Sequence, residues 1–205
     1  DVVDFDVSDA VVDVFAVPTV ENKRENQPVY VVVARHDALQ QRIALLEKAH
    51  INLEVIDIPE LALRNIASLY SNGDRGVALL GLGNDYGVMT VTQHNVLYLS
   101  RALNVGLSEL LKAKERGVYL DRIVLEVQRS FDYYVSSLRQ APVDKLLLAP
   151  LPDGFPGLDR FFADRLGIPV VQIHLHELVT WQKNIPENME ARCVTTFGAA
   201  LRAVN

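Results

Sequence analysis

The chain has 205 residues, 49% of them hydrophobic and 22% charged, which is the composition of an ordinary globular protein long enough for one large or two small domains. The net charge of -6, with lysine and arginine scattered along the chain, argues against nucleic acid or an anionic membrane surface as the main partner. No segment resembles a signal peptide, and none approaches the roughly 18 consecutive apolar residues that a membrane-spanning helix needs.

The beginning of the chain is rich in β-branched residues, which favour strands. Strands are predicted at residues 2–7, 11–17 and 28–34. The polar run 21–27 between the last two is typical of a solvated loop.

Two helices follow, each with a recognisable start. Asp37, with Gln40 three residues later, fits a capping box for a helix that ends near residue 50. A short strand is then predicted at 53–58, and Pro59 fits the first position of the second helix. The cluster of turn residues at 71–76 predicts a domain boundary between residues 72 and 73.

The second part of the chain predicts a three-stranded meander and then a further alternation of strands and helices. The meander occupies 77–82, 87–92 and 96–101, and the strongest helical periodicity of the chain covers 119–138. The remaining elements are a strand at 145–149, a helix at 158–166, a strand at 169–173 and a closing helix at 194–204. This alternation favours an α/β fold with a partly parallel sheet.

A glycine-rich segment at 81–87 is a candidate for phosphate binding through backbone amides. It joins two strands, however, whereas dinucleotide and Walker loops lead from a strand into a helix. A hairpin turn is therefore the favoured interpretation.

Two histidines and a carboxylate lie within four residues at His174, His176 and Glu177. A strand would place both imidazoles on one face, but no third ligand is visible in the sequence, so we predict surface or interfacial histidines and no metal site. Cys193 is the single cysteine, which excludes an internal disulfide and favours a reducing compartment such as the cytoplasm. No Gly-x-Ser-x-Gly motif occurs, and no catalytic residues are predicted.

Several segments, taken in order, resemble PilM-type actin-like pilus assembly proteins, and among these the members that serve the mannose-sensitive haemagglutinin (MSHA) type IV pilus. The segments are 29–33, 45–63, the hairpin at 77–99, 125–134, 155–158 with 166–170, and 197–202. The resemblance implies an α/β, actin-like (ribonuclease H-like) ATPase fold. The beginning of such proteins has no counterpart here, so the expected fold is N-terminally truncated. Residues 1–72 then belong to the first lobe with its small inserted α/β domain, and residues 73–205 form the second lobe.

The resemblance also implies a degenerate nucleotide site. Gly81 stands where the ATP-binding members carry the aspartate that positions the hydrated magnesium ion. The other remnants of the phosphate site are Gly83, Asn84, Asp85, Thr90 and Gly106. The adenosine-side Gly-Gly is replaced by the segment Ala149-Pro150-Leu151-Pro152, in which Pro150 and Leu151 are the remnants. No bound cofactor and no metal are expected.

The function implied is a non-catalytic cytoplasmic scaffold of type IV pilus biogenesis, peripheral to the inner membrane. Its expected partner is the cytoplasmic tail of a PilN-like inner-membrane protein, with the pilus assembly ATPase as a further partner. One alternative is an active actin-like ATPase that uses Gly83, Asn84, Asp85 and Thr90 in altered roles. Another is the cytoplasmic domain of a type II secretion assembly protein, which shares the fold.

Overall fold

The computed structural model describes residues 4–18, 28–113, 115–151, 155–179 and 187–202. Contacts divide the chain into two compact units, Asp1–Asp57 and Ile58–Asn205. The predicted boundary between residues 72 and 73 concerns the lobes of an actin-like fold, and it stays a prediction. In the described part of the chain, no helix has both the length and the apolar character needed to cross a membrane.

The first unit contains a two-stranded antiparallel sheet and one helix. Strand β1 (Ala10–Ala16) pairs with β2 (Val29–Arg35), and helix α1 covers His36–Lys48. These elements confirm the predicted second and third strands and the first helix. The polar run 21–27 lies outside the described residues.

Three local predictions in this unit are wrong. Residues 4–9 form a bend and a short 3-10 turn instead of a strand, because the Asp6 carboxylate accepts the Ser8 amide at 2.9 Å and closes the chain locally. Asp37 does not cap α1: the helix begins one residue earlier, and the carboxylate pairs with the Arg35 guanidinium at 2.7 Å. Residues 53–58 join no strand ladder, and without such a partner their alternating apolar pattern does not make a strand.

The second unit is built on a five-stranded sheet with the order β5-β4-β3-β6-β7. Strands β3 (Val77–Leu82), β4 (Gly87–Gln93) and β5 (Val96–Leu103) form the predicted antiparallel meander. Strands β6 (Lys145–Leu148) and β7 (Val170–Gln172) continue the sheet parallel to β3. The mixed, partly parallel sheet predicted from the sequence is confirmed.

Helices cover both faces of this sheet. They are α2 (Pro59–Leu69), α3 (Leu107–Lys112), α4 (Arg116–Ser136), α5 (Leu158–Leu166), α6 (Leu175–Leu178) and α7 (Glu187–Ala200). Pro59 occupies the start of α2 as predicted. The sequence did not predict the short helix α6, and it placed the start of α7 at residue 194.

The core of the second unit has two layers, one on each face of the sheet. On one face α4 and α5 pack through Val127, Tyr134 and Phe162, all fully buried. On the other face α2 contributes Ile66 and α7 contributes Val194, and Cys193 packs against the same apolar cluster, as expected for a small apolar side chain. Because both faces are covered, ligands reach the sheet at its edges and loops.

Candidate functional site

The candidate site lies at the carboxyl ends of the parallel strands. The loops that follow β3, β6 and β7 all emerge at this edge of the sheet. After β3 the chain turns to β4 on one side, and after β6 it crosses to β7 on the other. Open α/β sheets bind ligands at such a reversal of strand order. Two cavities open here, and Pro150 lines both of them.

The first cavity, called here the hairpin cleft, has a volume of about 220 Å³. Its lining residues are Pro59, Leu63, Gly81, Leu82, Gly83, Tyr86, Val88, Ala149, Pro150, Ala191, Val194 and Thr195. Among these lining residues, all from the described part of the chain, none carries a charged side chain. The cleft therefore offers no cation to neutralise a phosphate and no carboxylate to hold a hydrated magnesium ion.

The glycine at position 81 is not imposed by lack of space. A Cβ atom added there would meet its nearest neighbours, the Ala149 Cβ and the Val88 oxygen, at 3.9 Å, which is an ordinary contact. Gly83 differs, because its Cβ would lie 3.0 Å from the Tyr86 oxygen, to which its own amide donates at 2.9 Å. A Cβ atom is therefore accommodated at 81, whereas at 83 it would lie too close to the Tyr86 oxygen.

The hairpin turn is fixed by the beginning of α3. The amides of Leu107 and Ser108 donate to the carbonyl oxygens of Gly83 and Asn84 at 2.8 and 2.9 Å. A Cβ atom at Gly106 would overlap the Asn84 oxygen, so only glycine permits this approach. The first amides of α3 are thus engaged by the turn, and Gly106 has a structural reason to be glycine.

The other sequence-predicted residues are dispersed. Asn84 and Asp85 are exposed on the turn. Thr90 lies fully buried in β4, and its hydroxyl finds no hydrogen-bond partner among the residues that the structure describes. Leu151 lines the second cavity and not the hairpin cleft. Of the eight predicted remnants, the structure brings Gly81, Gly83 and Pro150 together in the cleft.

The second cavity, called here the histidine cavity, has a volume of about 350 Å³. Its lining residues are Pro150, Leu151, Phe155, Pro156, Gly157, Asp159, Gln172, Ile173, His174 and Glu190. It lies beyond the ends of β6 and β7, beside the start of α5. Unlike the hairpin cleft, it is lined by an imidazole and two carboxylates.

Glu190 organises this cavity from α7. Its side chain is 2% exposed. The carboxylate accepts the backbone amides of Leu175 and His176 at 3.0 and 3.1 Å, and the His176 Nδ1 lies 2.7 Å from its Oε1. Burial acts to raise the pKa of Glu190, but the hydrogen bonds from His176 and from the Leu175 amide outweigh it and lower that pKa below its ordinary value. A charged carboxylate therefore lies within 4.8 Å of a ring nitrogen of each histidine.

His174 and His176 do not lie in a strand. His174 immediately precedes α6, and His176 lies within it, because the buried carboxylate of Glu190 satisfies the first amides of that helix. The ring centroids of the two histidines are 5.5 Å apart. Glu190 is the acidic side chain near these histidines that the sequence analysis missed. A helical signal existed, since Glu190, Val194 and Gly198 follow one another at four-residue steps.

Comparison with known proteins gives fold similarities alone. No family model and no curated protein matches the chain. It is similar to a chain of the PilM–PilN type IV pilus biogenesis complex, at 18% identity and a TM-score of 0.68, covering 97% of this chain and 66% of that one. It is also similar to the ethanolamine utilization protein EutJ from Carboxydothermus hydrogenoformans, at 17% identity and a TM-score of 0.51, covering 83% of this chain and 62% of that one.

A third similar structure is a Bacteroides thetaiotaomicron protein with an actin-like ATPase fold and unknown function, at 11% identity and a TM-score of 0.46, covering 91% of this chain and 60% of that one. The chain thus spans slightly less than two thirds of the length of each of the three. The predicted fold class is confirmed: the chain has an actin-like ATPase fold with a mixed five-stranded sheet.

Proposed function

We propose that this chain is a non-catalytic adaptor of type IV pilus biogenesis that binds the cytoplasmic tail of a PilN-like inner-membrane protein. The observation that carries the proposal is the similarity to the PilM–PilN complex, which extends over 97% of this chain with a TM-score of 0.68. The adaptor acts at the cytoplasmic side of the inner membrane and connects the tail to the assembly ATPase. The ordered sequence segments favour an MshI-type role in the MSHA pilus.

The uncharged hairpin cleft supports the non-catalytic part of the proposal. Phosphoryl transfer needs a cation and charged side chains around the phosphates. At Gly81 an added Cβ would meet no close contact, yet no carboxylate lines the cleft among the residues that the structure describes. The cleft retains the shape of the hairpin and lacks the charges that would make it a nucleotide site.

The end of β6 supports the same conclusion on the adenosine side. The Ala149 amide donates to the Leu80 oxygen at 2.9 Å, and the carbonyl oxygen of Ala149 accepts the Gln172 side chain at 3.1 Å. Pro150 has no amide proton, and its ring fixes φ. A backbone that is already hydrogen bonded, and then blocked by a proline, is a poor substitute for a Gly-Gly pair that a nucleotide approaches closely.

The hairpin cleft has features that suit an apolar peptide side chain. Its lining is mostly aliphatic, with Leu63, Val88 and Val194 contributed by three different elements. Tyr86 stands at its rim and is 61% exposed. Exposed aromatic residues beside an apolar depression are common anchors of peptide recognition. We therefore place tail contacts at this cleft.

Titration calorimetry with Mg-ATP tests the non-catalytic part. The full natural chain is expected to give no saturable heat at millimolar ATP. The Gly81→Asp variant introduces a carboxylate at a position where an added Cβ makes only ordinary contacts. It is also expected not to bind Mg-ATP, because the end of β6 is unchanged. Saturable, magnesium-dependent binding by the wild type would refute the proposal and revive an active ATPase.

Binding of a synthetic PilN-like tail peptide tests the adaptor role. We expect saturable binding by the full natural chain and none with a scrambled peptide of the same composition. Tyr86→Ala is expected to weaken binding, whereas Tyr133→Ala, which removes a 47% exposed tyrosine from α4, serves as the matched control. Absence of binding by the folded wild type contradicts the adaptor role, and equal effects of the two variants place the peptide away from the cleft.

A further inference from the structure

We propose that His174, His176 and Glu190 bind a divalent first-row transition metal ion such as Zn²⁺. Ligand atoms of the three side chains all lie within 4.8 Å of one another. Two imidazoles and one carboxylate are a ligand set that zinc and its neighbours use, whereas magnesium and calcium prefer oxygen ligands alone. This inference goes beyond the proposed adaptor role and does not depend on it.

The distances allow coordination after small side-chain movements. Zinc–nitrogen and zinc–oxygen bonds of about 2.0–2.2 Å place the ligand atoms of a tetrahedral site roughly 3.3 Å apart. The His176 Nδ1 is 2.7 Å from the Glu190 Oε1, so this pair must open slightly as the metal replaces the shared proton. The centroids of the two histidine rings are 5.5 Å apart, and the His176 side chain, which is 51% exposed, is the one with room to rotate.

Glu190 supplies the fixed ligand. Its carboxylate is held by the Leu175 and His176 amides, so its orientation is set before any metal arrives. Hydrogen bonds of this kind around a ligating group raise metal affinity, and their loss typically costs about 10–100-fold. A positive charge beside this carboxylate, whose side chain is 2% exposed, also stabilises its ionised form.

The cavity leaves room for a further ligand. Three protein ligands leave at least one coordination position for water or a small anion. His174 and Glu190 line the histidine cavity of about 350 Å³, and Asp159 lines the same cavity. An open position that faces a cavity of this size makes the bound metal accessible to solvent and to exchange.

Zinc titration of the full natural chain tests the site. The protein is prepared without a histidine tag, stripped with a chelator, and titrated with Zn²⁺ by calorimetry in the presence of excess Mg²⁺. We expect one saturable equivalent, with an affinity lowered roughly tenfold or more by His174→Ala and by His176→Ala, since loss of a ligand costs at least as much as loss of an outer-shell partner. His50→Ala and His94→Ala, which change histidines outside the cluster, are the matched controls and are expected to leave the affinity unchanged.

Cobalt provides a second readout of the ligand set. Co²⁺ at the proposed site is expected to give a visible ligand-field spectrum without a thiolate charge-transfer band. A thiolate band lost in Cys193→Ser would overturn the proposal, as would the lack of saturable zinc binding by the folded wild type. Equal zinc affinities in the His174, His176 and control variants would overturn it as well. Glu190→Gln also disturbs the start of α6, so the two histidine variants decide the question.

Discussion

The close packing of α2 against α7, two helices that line the hairpin cleft, can be tested by a single substitution. Gly198 of α7 packs directly on the backbone of Ala62: an added Cβ would overlap the Ala62 oxygen and lie 2.7 Å from its carbonyl carbon. The Gly198 oxygen also accepts the Asn65 side chain at 2.9 Å. We therefore expect Gly198→Ala to destabilise the protein, although alanine is the better helix former.

The change in the free energy of unfolding caused by Gly198→Ala is the sum of two opposing effects. Replacing a helical glycine with alanine gains about 1 kcal/mol of helix propensity. To bring the new Cβ to ordinary contact distance from the Ala62 oxygen, the two helices must separate by roughly 1 Å at the crossing, and overpacking of this kind costs about 1–3 kcal/mol. We place the cost at the upper end because backbone atoms cannot rotate away. A net loss of about 1–2 kcal/mol corresponds to a Tm lower by about 2–8 °C.

Thermal and denaturant unfolding measure this loss against a matched control. Gly117 lies in the first turn of α4, and an added Cβ would meet nothing within 4 Å. The same substitution there, Gly117→Ala, is expected to stabilise the protein by about 0.5–1 kcal/mol. If Gly198→Ala raised stability as much as the control does, the close approach of the two helices, and with it the position of the α7 residues that line both cavities, would be wrong.

Three further changes test other parts of the second unit by denaturant unfolding. Thr90→Val removes a buried hydroxyl that has no partner and is expected to stabilise by about 1 kcal/mol; a loss of stability would show that the hydroxyl is hydrogen bonded. Gly106→Ala is expected to cost about 1–3 kcal/mol, because its Cβ overlaps the Asn84 oxygen, and a neutral result would contradict that contact. Burial raises the pKa of Tyr134, whose hydroxyl donates to Gln93. Above about pH 10 this tyrosine ionises in the unfolded chain but not in the folded protein, so the free energy of unfolding is expected to fall as the pH rises further. In Tyr134→Phe the free energy of unfolding should fall less above about pH 10 than in the wild type. If it fell equally in both proteins, the ionisation of Tyr134 would not be the cause.

The sequence predicted the elements whose pattern is decided locally. The meander is marked by short apolar runs separated by turn residues, and α4 by a long helical repeat, so both appear within a few residues of their predicted bounds. Pro59 marked the start of α2 for a similar reason: a proline is tolerated at the first helical position.

Two of the wrong predictions, at 4–9 and at Asp37, failed because a carboxylate bonded to a group two residues away. Others concern features that depend on partners distant in sequence. The pattern at 53–58 is that of a strand, but these residues pair with neither of the two sheets in the described part of the chain. The start of α6 depends on a carboxylate from another helix, since the Leu175 and His176 amides donate to Glu190. The spacing of His174 and His176 contained no information about that third side chain, so a cluster of possible metal ligands was interpreted as two surface histidines.

The two cavities can be tested separately although they adjoin. Pro150 is the residue that they share, and it offers neither an amide proton nor a charged group to a ligand. The ligand atoms proposed for the metal come from the start of α6 and from α7, whereas the predicted remnants of a phosphate site come from the β3–β4 hairpin and from Gly106 before α3. A failed zinc titration would therefore leave the adaptor proposal intact, and ATP binding at the hairpin would leave the metal proposal intact. The same edge of one sheet thus supports two independent hypotheses, because the proposed metal ligands and the predicted phosphate-site residues are different side chains.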